Sequence, residues 1–328
     1  MKQDCEDYEL IIVNDHSIDN TEEICKRYQN ENPTKISYYN NVKNKKGVSS
    51  ARNYAISKSN SKYLMFIDSD DCYNTDMLSV MSKEIINNDL TVCGFKRVNK
   101  KTKNERNKFI DEIICDNKID IIKAIEKLQE EDLFNQLWNK IFKSEIIKKN
   151  NIEFLEEISL GEDYRFILDY IEHIKKIKII DKILYTYNSD ENGLALKYND
   201  ENTKIKLENI LYHKKIYEKN EIADTYYIDR FYILTVLSGF ASIVSNNNSK
   251  EAKKIIKKYV DYRDIQENIN EIYIKCNSIK LKFIIKLLQF KNVNYIYYLG
   301  KIMNVAKKIY KRIKIAWIFR RKKCLHIY

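Results

Sequence analysis

The chain has 328 residues, 44% of them apolar, which is enough to bury a core in one large or two smaller domains and excludes wholesale disorder. Seven cysteines without Cys-x-x-Cys spacing and only four histidines speak against a disulfide framework or a zinc site, and fit a reducing cytosol. The net charge of +11 suggests nucleic acid, but ten Lys and Arg and no acid lie from Lys301 onward, so the remainder is nearly balanced and no nucleic-acid partner is expected.

The first residues are polar and charged, without the pattern of a secretory signal. Tyr8 to Val13 is a compact apolar run that predicts a strand, Asp15 to Asn20 a polar turn, and Thr21 to Tyr28 a helix. Ile36 to Tyr39 predicts a short strand, and Gly47 opens a loop into a helix around Ser50 to Ser57. A strand at Tyr63 to Ile67, a helix at Thr75 to Ile86 and a strand at Leu90 to Phe95 follow. Strands spaced by single helices predict an α/β fold with a mainly parallel sheet and helices on both faces.

Beyond Lys96 the alternation weakens. Phe109 to Cys115 reads as an added antiparallel strand, Asp120 to Gln129 and Gly161 to Ile174 as helices, and Ile177 to Tyr187 as an extended segment. From Asn202 onward the pattern is mostly helical. The uncharged stretch from Phe231, apolar to about Val244, is too short to span a bilayer and reads as a buried helix. A boundary near residue 200 separates a domain at 1–200 from a helical region at 201–328.

The chemistry concentrates at strand ends, where open α/β sheets bind ligands. The strand Tyr63 to Ile67 runs into Asp68-Ser69-Asp70-Asp71, and carboxylates this close repel unless donors or a cation satisfy them. In an extended chain Asp68 and Asp70 point the same way. Hard oxygen ligands suit Mg²⁺ or Mn²⁺, which bridge carboxylates to a diphosphate. An acidic turn is the alternative. Asp15 ends a neighbouring strand in the same manner.

Four segments together resemble the family 2 glycosyltransferases of the bacterial surface-polysaccharide type, whose fold is GT-A. They are Ile11-Ile12-Val13-Asn14-Asp15-His16-Ser17-Ile18-Asp19-Asn20-Thr21, then Gly47-Val48-Ser49-Ser50-Ala51-Arg52-Asn53, then Phe66-Ile67-Asp68-Ser69-Asp70-Asp71. The last is Gly161-Glu162-Asp163-Tyr164-Arg165-Phe166, preceded by Leu137-Trp138-Asn139-Lys140. The resemblance implies a GT-A-like sheet domain followed by a helical region, a nucleotide-sugar donor, and a saccharide or lipid-linked acceptor. It assigns Asp15 to the uracil or ribose of the donor, with a helix cap or turn as the alternative. It sets Arg52 against the nucleotide-sugar, where a solvent-facing cation is the other reading. Asp68 contacts the ribose and the metal edge, and Asp70 is the principal ligand of Mg²⁺ or Mn²⁺. Asp71 either assists through water or caps the next helix.

Asp163 is the candidate general base for the acceptor hydroxyl, with Glu162 the runner-up. A single base without a nucleophile implies inversion, by analogy with inverting glycosidases. Both acids also suit a helix start, where they favour the macrodipole. Trp138 is assigned to the acceptor side as a sugar-binding wall, or else to the core. His16 stands where the family has Gly, a poorer residue if the turn needs positive φ.

The sequence starts at about the Gln that ends the family's first helix, here Gln3, so the first strand and helix of the nucleotide-binding half are expected to be lacking. Losing a central parallel strand exposes its neighbours' edges and apolar faces. No Gln-x-x-Arg-Trp motif occurs, which fits transfer of one sugar per encounter. The basic tail from Lys301 to Tyr328 interleaves apolar residues with cations and suits peripheral contact with the inner face of the cell membrane, or a helix packed on the domain. The function expected is therefore an inverting, metal-dependent, cytoplasmic glycosyltransferase, and the rival is a non-catalytic remnant of the fold serving as a membrane-associated or assembly module.

Overall fold

A computed structural model describes residues 2–42, 47–158, 160–189 and 200–305. The chain forms two compact units, divided after the long last strand, with Ile216–Ile222 belonging to the first unit.

In the first unit, β1 (Leu10–Asn14) and β2 (Ile36–Asn40) flank α1 (Thr21–Glu31) and pair in parallel, Leu10 opposite Ile36. Next come α2 (Val48–Lys58), β3 (Tyr63–Met65), β4 (Cys72–Tyr73), α3 (Met77–Glu84), β5 (Leu90–Asn99), β6 (Glu105–Lys108) and β7 (Ile113–Cys115). Then follow α4 (Lys118–Glu130), β8 (Lys140–Lys143), α5 (Ser144–Lys149), α6 (Glu162–Ile171) and β9 (Ile177–Ser189). The larger sheet has the order β3-β8-β5-β9-β4, with β6 on β5 and β7 on β9.

Within that sheet only β5 and β9 run parallel, so the sheet is mixed rather than mainly parallel. The reason is connection length. A parallel partner needs a crossover of a dozen residues or more, whereas β6 returns from β5 through the short Asn99–Asn104 turn and must run antiparallel. Of the segment read as one antiparallel strand from Phe109 to Cys115, only Ile113–Cys115 is strand, and Phe109 is exposed between β6 and β7.

Among the described residues, β1 pairs only with β2, and β3 only with β8. Ile11, Ile12, Val13, Leu64 and Met65 are only half-buried, while Leu90 to Phe95 of β5 are buried throughout. Interior parallel strands are normally covered on both faces and both edges. Among the described residues, β1 and β3 therefore each keep one edge unpaired.

The core lies under the larger sheet. Phe66 meets Phe142, Phe154 and Phe166 edge-on at 5.9, 5.7 and 6.0 Å, and Phe154 stacks on Phe166 at 4.1 Å. Phe66 precedes the acidic turn by one residue and Phe166 sits one helical turn after Asp163. Aromatic pairs of this kind add about 0.5–1.5 kcal/mol each beyond burial. One apolar cluster therefore anchors the two segments that carry the candidate carboxylates.

The second unit is helical: α7 (Asp200–Lys219) up to residue 215, α8 (Tyr226–Asn246), α9 (Ser249–Val260), α10 (Arg263–Lys275), α11 (Ile279–Gln289) and α12 (residues 293–305). Asn248 and Ser278 cap α9 and α11 by accepting from the backbone N–H groups of Glu251 and Leu281. By length and composition α8 could cross a membrane, yet Tyr232, Ile233, Val236, Leu237, Phe240 and Ala241 are buried inside the unit. That is the buried helix expected from the sequence, longer at both ends. The basic tail beyond residue 305 lies outside the described residues.

Candidate active site

The centre of the site is Arg52, on α2. Its Nη1 lies 2.5 Å from Asp163 Oδ1 and 3.4 Å from Glu162 Oε1, and its Nη2 lies 3.3 Å from Asp68 Oδ1. The side chains of Arg52, Glu162 and Asp163 are 15%, 13% and 23% exposed. The guanidinium sits 5.4 Å over the Phe154 ring, so the aromatic cluster also floors the charged group. Arg52 is thus neither a free solvent-facing cation nor an open anion site. It joins three candidate carboxylates from two segments, the acidic turn and the start of α6.

Asn53 fixes this helix to the loop that carries Phe154. Its side chain donates to Phe154 O at 2.9 Å and accepts from the Phe154 N–H at 2.8 Å. Asn53 stood in the sequence pattern without a role. An amide is the one side chain type there that satisfies a backbone donor and acceptor together.

Glu162 and Asp163 occupy the first turn of α6, after Gly161 at φ 84°. Glycine enters that left-handed region without strain. Burial pushes the Asp163 carboxyl up to about 7; Arg52 pulls it down, and Glu162 and Asp68 push it further up. The Asp68 carboxyl is also raised by burial, again opposed by Arg52.

The acidic turn is closed by the Asp71 N–H donating to Asp68 O at 3.1 Å. Its three carboxylates have three different environments. Asp68 joins the Arg52 cluster. Asp70 is 56% exposed and pairs with Lys100, from the β5–β6 turn, at 2.8 Å. Asp71 is buried and accepts from Tyr185 Oη and the Asn188 N–H, both at 2.7 Å. Burial raises its carboxyl while these donors oppose the rise. Asp71 therefore anchors the turn to β9 and does not cap α3. Tyr73 adds a second tie, its hydroxyl donating to Phe66 O at 2.7 Å.

Asp15 lies apart from this cluster, at the end of β1. Its Oδ1 accepts from Asn41 Nδ2 at 3.0 Å and its Oδ2 from the Gly47 N–H at 2.7 Å. Gly47 stands before α2 at φ 136°, where an L side chain is strained. Asn41 also donates to Ser50 Oγ on α2. Asp15 therefore braces the start of the helix that carries Arg52. The adjoining His16 has φ 59°, so this turn does need a left-handed residue, and histidine fills it.

Trp138 is 5% exposed and stacks on Tyr185 at 4.2 Å and Tyr187 at 5.6 Å. Its edge meets Phe95 at 4.7 Å. With its faces taken by tyrosines it is a core residue behind β9, and it offers no open wall to a sugar. The loop before it is held by the buried Lys140, which donates to Leu133 O, Gln136 O and Asn139 Oδ1. Burial lowers that ammonium to about 7.

Four of the predicted site residues, Arg52, Asp68, Glu162 and Asp163, thus come together. Asp70 adjoins them on the exposed side of the turn, while Asp15 and Trp138 do not join. Sequence reasoning missed Tyr185, Asn188, Asn53 and Lys100. The nearest signal was the pair Tyr185 and Tyr187 near the end of β9, which carried no pattern of its own. Among the described residues no three His, Cys, Asp or Glu side chains gather as a metal cage. Asp68 and Asp70 offer two hard-oxygen carboxylates, and Asp70 already pairs with a cation.

The family model for glycosyl transferase family 2 matches residues 1–150. Those residues are similar to a family 2 glycosyltransferase domain. Among curated relatives, the uncharacterized glycosyltransferase EpsJ of Bacillus subtilis is 26% identical over 201 residues, spanning 60% of this chain and 56% of that protein. The minor teichoic acid biosynthesis protein GgaB of the same organism is 29% identical over 194 residues, 57% of this chain but 20% of that protein. The chain therefore matches about half or less of these relatives' own lengths. The crystal structure of Staphylococcus aureus TarS 1-349 in complex with UDP-GlcNAc superposes with a TM-score of 0.67 at 18% identity, over 93% of this chain and 85% of that one. That similarity shows the GT-A-like fold with a helical C-terminal region. The expectation of this fold from the sequence motifs holds.

Proposed function

We propose that this protein is an inverting glycosyltransferase that moves one sugar from a UDP-sugar to a saccharide or lipid-linked acceptor of a cell-surface polymer. The observation that carries the reading is the Arg52 cluster, which brings Asp163 to the N-terminus of a rigid helix beside the acidic turn. The donor class is supported by the UDP-GlcNAc complex of the structural neighbour, and the polymer class by teichoic acid proteins among the relatives.

An acceptor hydroxyl must lose its proton as it attacks the anomeric carbon, and a carboxylate within hydrogen-bond reach can take it. Asp163, with its carboxyl near neutrality, is suited to accept that proton and then release it. Glu162 is the second candidate. Arg52 holds the base in place and limits its basicity. With no second carboxylate assigned as nucleophile, the reaction inverts the anomeric centre.

Asp70 and Asp68 would hold Mg²⁺ or Mn²⁺, with water and the donor diphosphate completing the shell, since the protein supplies no third acidic ligand among the described residues. Bound there, the cation would supply charge neutralisation for the departing nucleoside diphosphate. Lys100 must then leave Asp70. The enzyme is assigned to the cytoplasmic face of the membrane, where such donors and lipid-linked acceptors meet, with the basic tail as a peripheral contact.

The test is UDP release from a panel of UDP-sugars, with and without Mn²⁺. Asp163→Asn should spare Mn²⁺-dependent UDP binding and stop transfer, whereas Asp70→Ala should lose both. Unchanged turnover in Asp70→Ala sinks the assignment. The open edges of β1 and β3 favour a second reading, the non-catalytic remnant. It predicts no UDP binding in any of these proteins, judged by calorimetry.

A further inference from the structure

The second unit carries a surface that the catalytic reading does not use. Among the described residues of α11 and its C-cap Phe290, Ile279, Phe283, Lys286 and Phe290 are exposed, spaced i, i+4, i+7 and i+11 along one helical face. On α12, Tyr295, Tyr298, Ile302 and Val305 repeat the arrangement. The opposite faces, with Leu281, Ile285, Leu288, Ile296 and Tyr297, are buried in the unit. Two consecutive helices thus present large apolar side chains outward, with Ile279 85% and Phe283 66% exposed.

A solvated helix face carries charges of both signs, and this one does not. Residues 277–305 hold five lysines and no Asp or Glu, and no acid follows Glu271 to the end of the chain. Lys286, Lys291 and Lys301 are exposed beside the aromatic residues, and Lys301 lies 4.9 Å over the Tyr297 ring. A second copy of the chain would set lysines against lysines across a buried contact, which costs energy. An acidic polymer such as nucleic acid would match the charge but would leave Ile279, Phe283 and Ile302 without apolar partners. An anionic bilayer meets both demands, because its headgroups pair the lysines and its acyl boundary takes the aromatic and aliphatic side chains.

We propose that the exposed apolar face of α11, built from Ile279, Phe283 and the adjoining Phe290 with Lys286 beside them, is a peripheral docking surface for anionic membrane lipid, and that the exposed Tyr295, Tyr298 and Ile302 of α12 with Lys301 bind the same kind of lipid. The described part of this surface ends at Val305, just inside the basic tail that starts at Lys301, and the surface is independent of whether the first unit is catalytic.

The experiment is flotation of the full chain with phosphatidylglycerol vesicles, compared with phosphatidylcholine vesicles. The wild type should bind phosphatidylglycerol and bind phosphatidylcholine about tenfold or more weakly. Phe283→Glu with Phe290→Glu should weaken phosphatidylglycerol binding by a similar factor, about tenfold. Lys286→Glu with Lys301→Glu should reduce binding and flatten its dependence on salt. These side chains are exposed, and circular dichroism with the thermal midpoint confirms that each variant is folded. Wild-type binding by the apolar variant would overturn the proposal and assign the contact to the tail. A wild type that ignores phosphatidylglycerol, or that is a dimer which the apolar variant converts to monomer, would overturn it as well.

Discussion

Replacing Arg52 with Met keeps an unbranched apolar stem over Phe154 and removes the charge from a group of three carboxylates. The 2.5 Å contact with Asp163 is a charge-assisted bond, and such bonds contribute about 1.5–3 kcal/mol. The contacts to Glu162 and Asp68 are longer, at 3.4 and 3.3 Å, and Asp68 is 39% exposed, so solvent discounts that pair. Removing one partner of a buried ion pair costs about 3–5 kcal/mol, and the partial exposure here places the loss at the low end, about 3 kcal/mol. The loss must depend on pH. Asp163 is raised to about 7 in the folded protein, above its unfolded value, so the folded state binds more protons between those two values. Its contribution to stability is therefore greatest below the unfolded pKa and is lost as pH rises through about 7. Without Arg52 the carboxyl rises further, and the variant should be hurt most above neutrality and recover as the solution is acidified. Urea unfolding of both proteins at about pH 8 and about pH 5.5 measures this, with the gap narrowing by roughly half at the lower value. A gap below about 1 kcal/mol, or one independent of pH, would refute the assignment of Arg52 as the cation that holds the three acids.

Tyr185→Phe should cost about 1–3 kcal/mol, because it strips one of two hydrogen bonds from the buried Asp71, and it should weaken Mn²⁺-dependent UDP binding through the loosened turn. His16→Gly should raise stability by up to about 1 kcal/mol in thermal unfolding, since it relieves a residue at φ 59°, less the entropy glycine loses. The kcat/KM for transfer should fall on the acid side with a midpoint near 7, as protonation removes the Asp163 base, and Asp163→Asn should abolish the activity on which that limb is seen; a profile flat through neutrality would exclude it as the base.

What was legible in the sequence follows the range of the physics involved. Strands, helices and the strand-end acids are local, and the apolar run into Asp68 was visible by itself. The motif order then grouped Arg52 and Asp163, whose side chains meet at 2.5 Å. The pairing of Arg52 with those acids was not legible, because it crosses 111 positions of chain and is set by the Phe66, Phe154 and Phe166 cluster. The same limit misled the reading of Trp138. A tryptophan suits a sugar wall or a core equally well by composition, and only Tyr185 and Tyr187 on β9 decide between them. Strand direction failed for a related reason. Alternating strands and helices describe the first half of the domain, whereas the antiparallel returns of β6, β7 and β8 depend on turns that carry no strong sequence signal.

The broken sheet gives α2 a larger part than a surface helix ordinarily has. In a continuous parallel sheet, neighbouring strands fix the relative positions of their carboxyl ends through hydrogen bonds. Here β1, which ends at Asp15, has no ladder to β3, which leads to Asp68. The two ends are tied instead through one helix, by the Gly47 N–H on Asp15 and by Arg52 on Asp68. Five residues of helix span about 7.5 Å, so the spacing between the two ties is set by a rigid element although β1 and β3 do not pair. That separates the two readings of the protein. A remnant that had lost its donor site would have no need to hold four ionisable groups together in partial burial, an arrangement that apolar side chains of similar size often match or better in stability. The chain instead carries Gly47 in a strained backbone region, Asn53 clamped to Phe154, and a guanidinium shared among three acids. Those features cost stability or flexibility in the fold, and the catalytic role proposed for the acids would account for them.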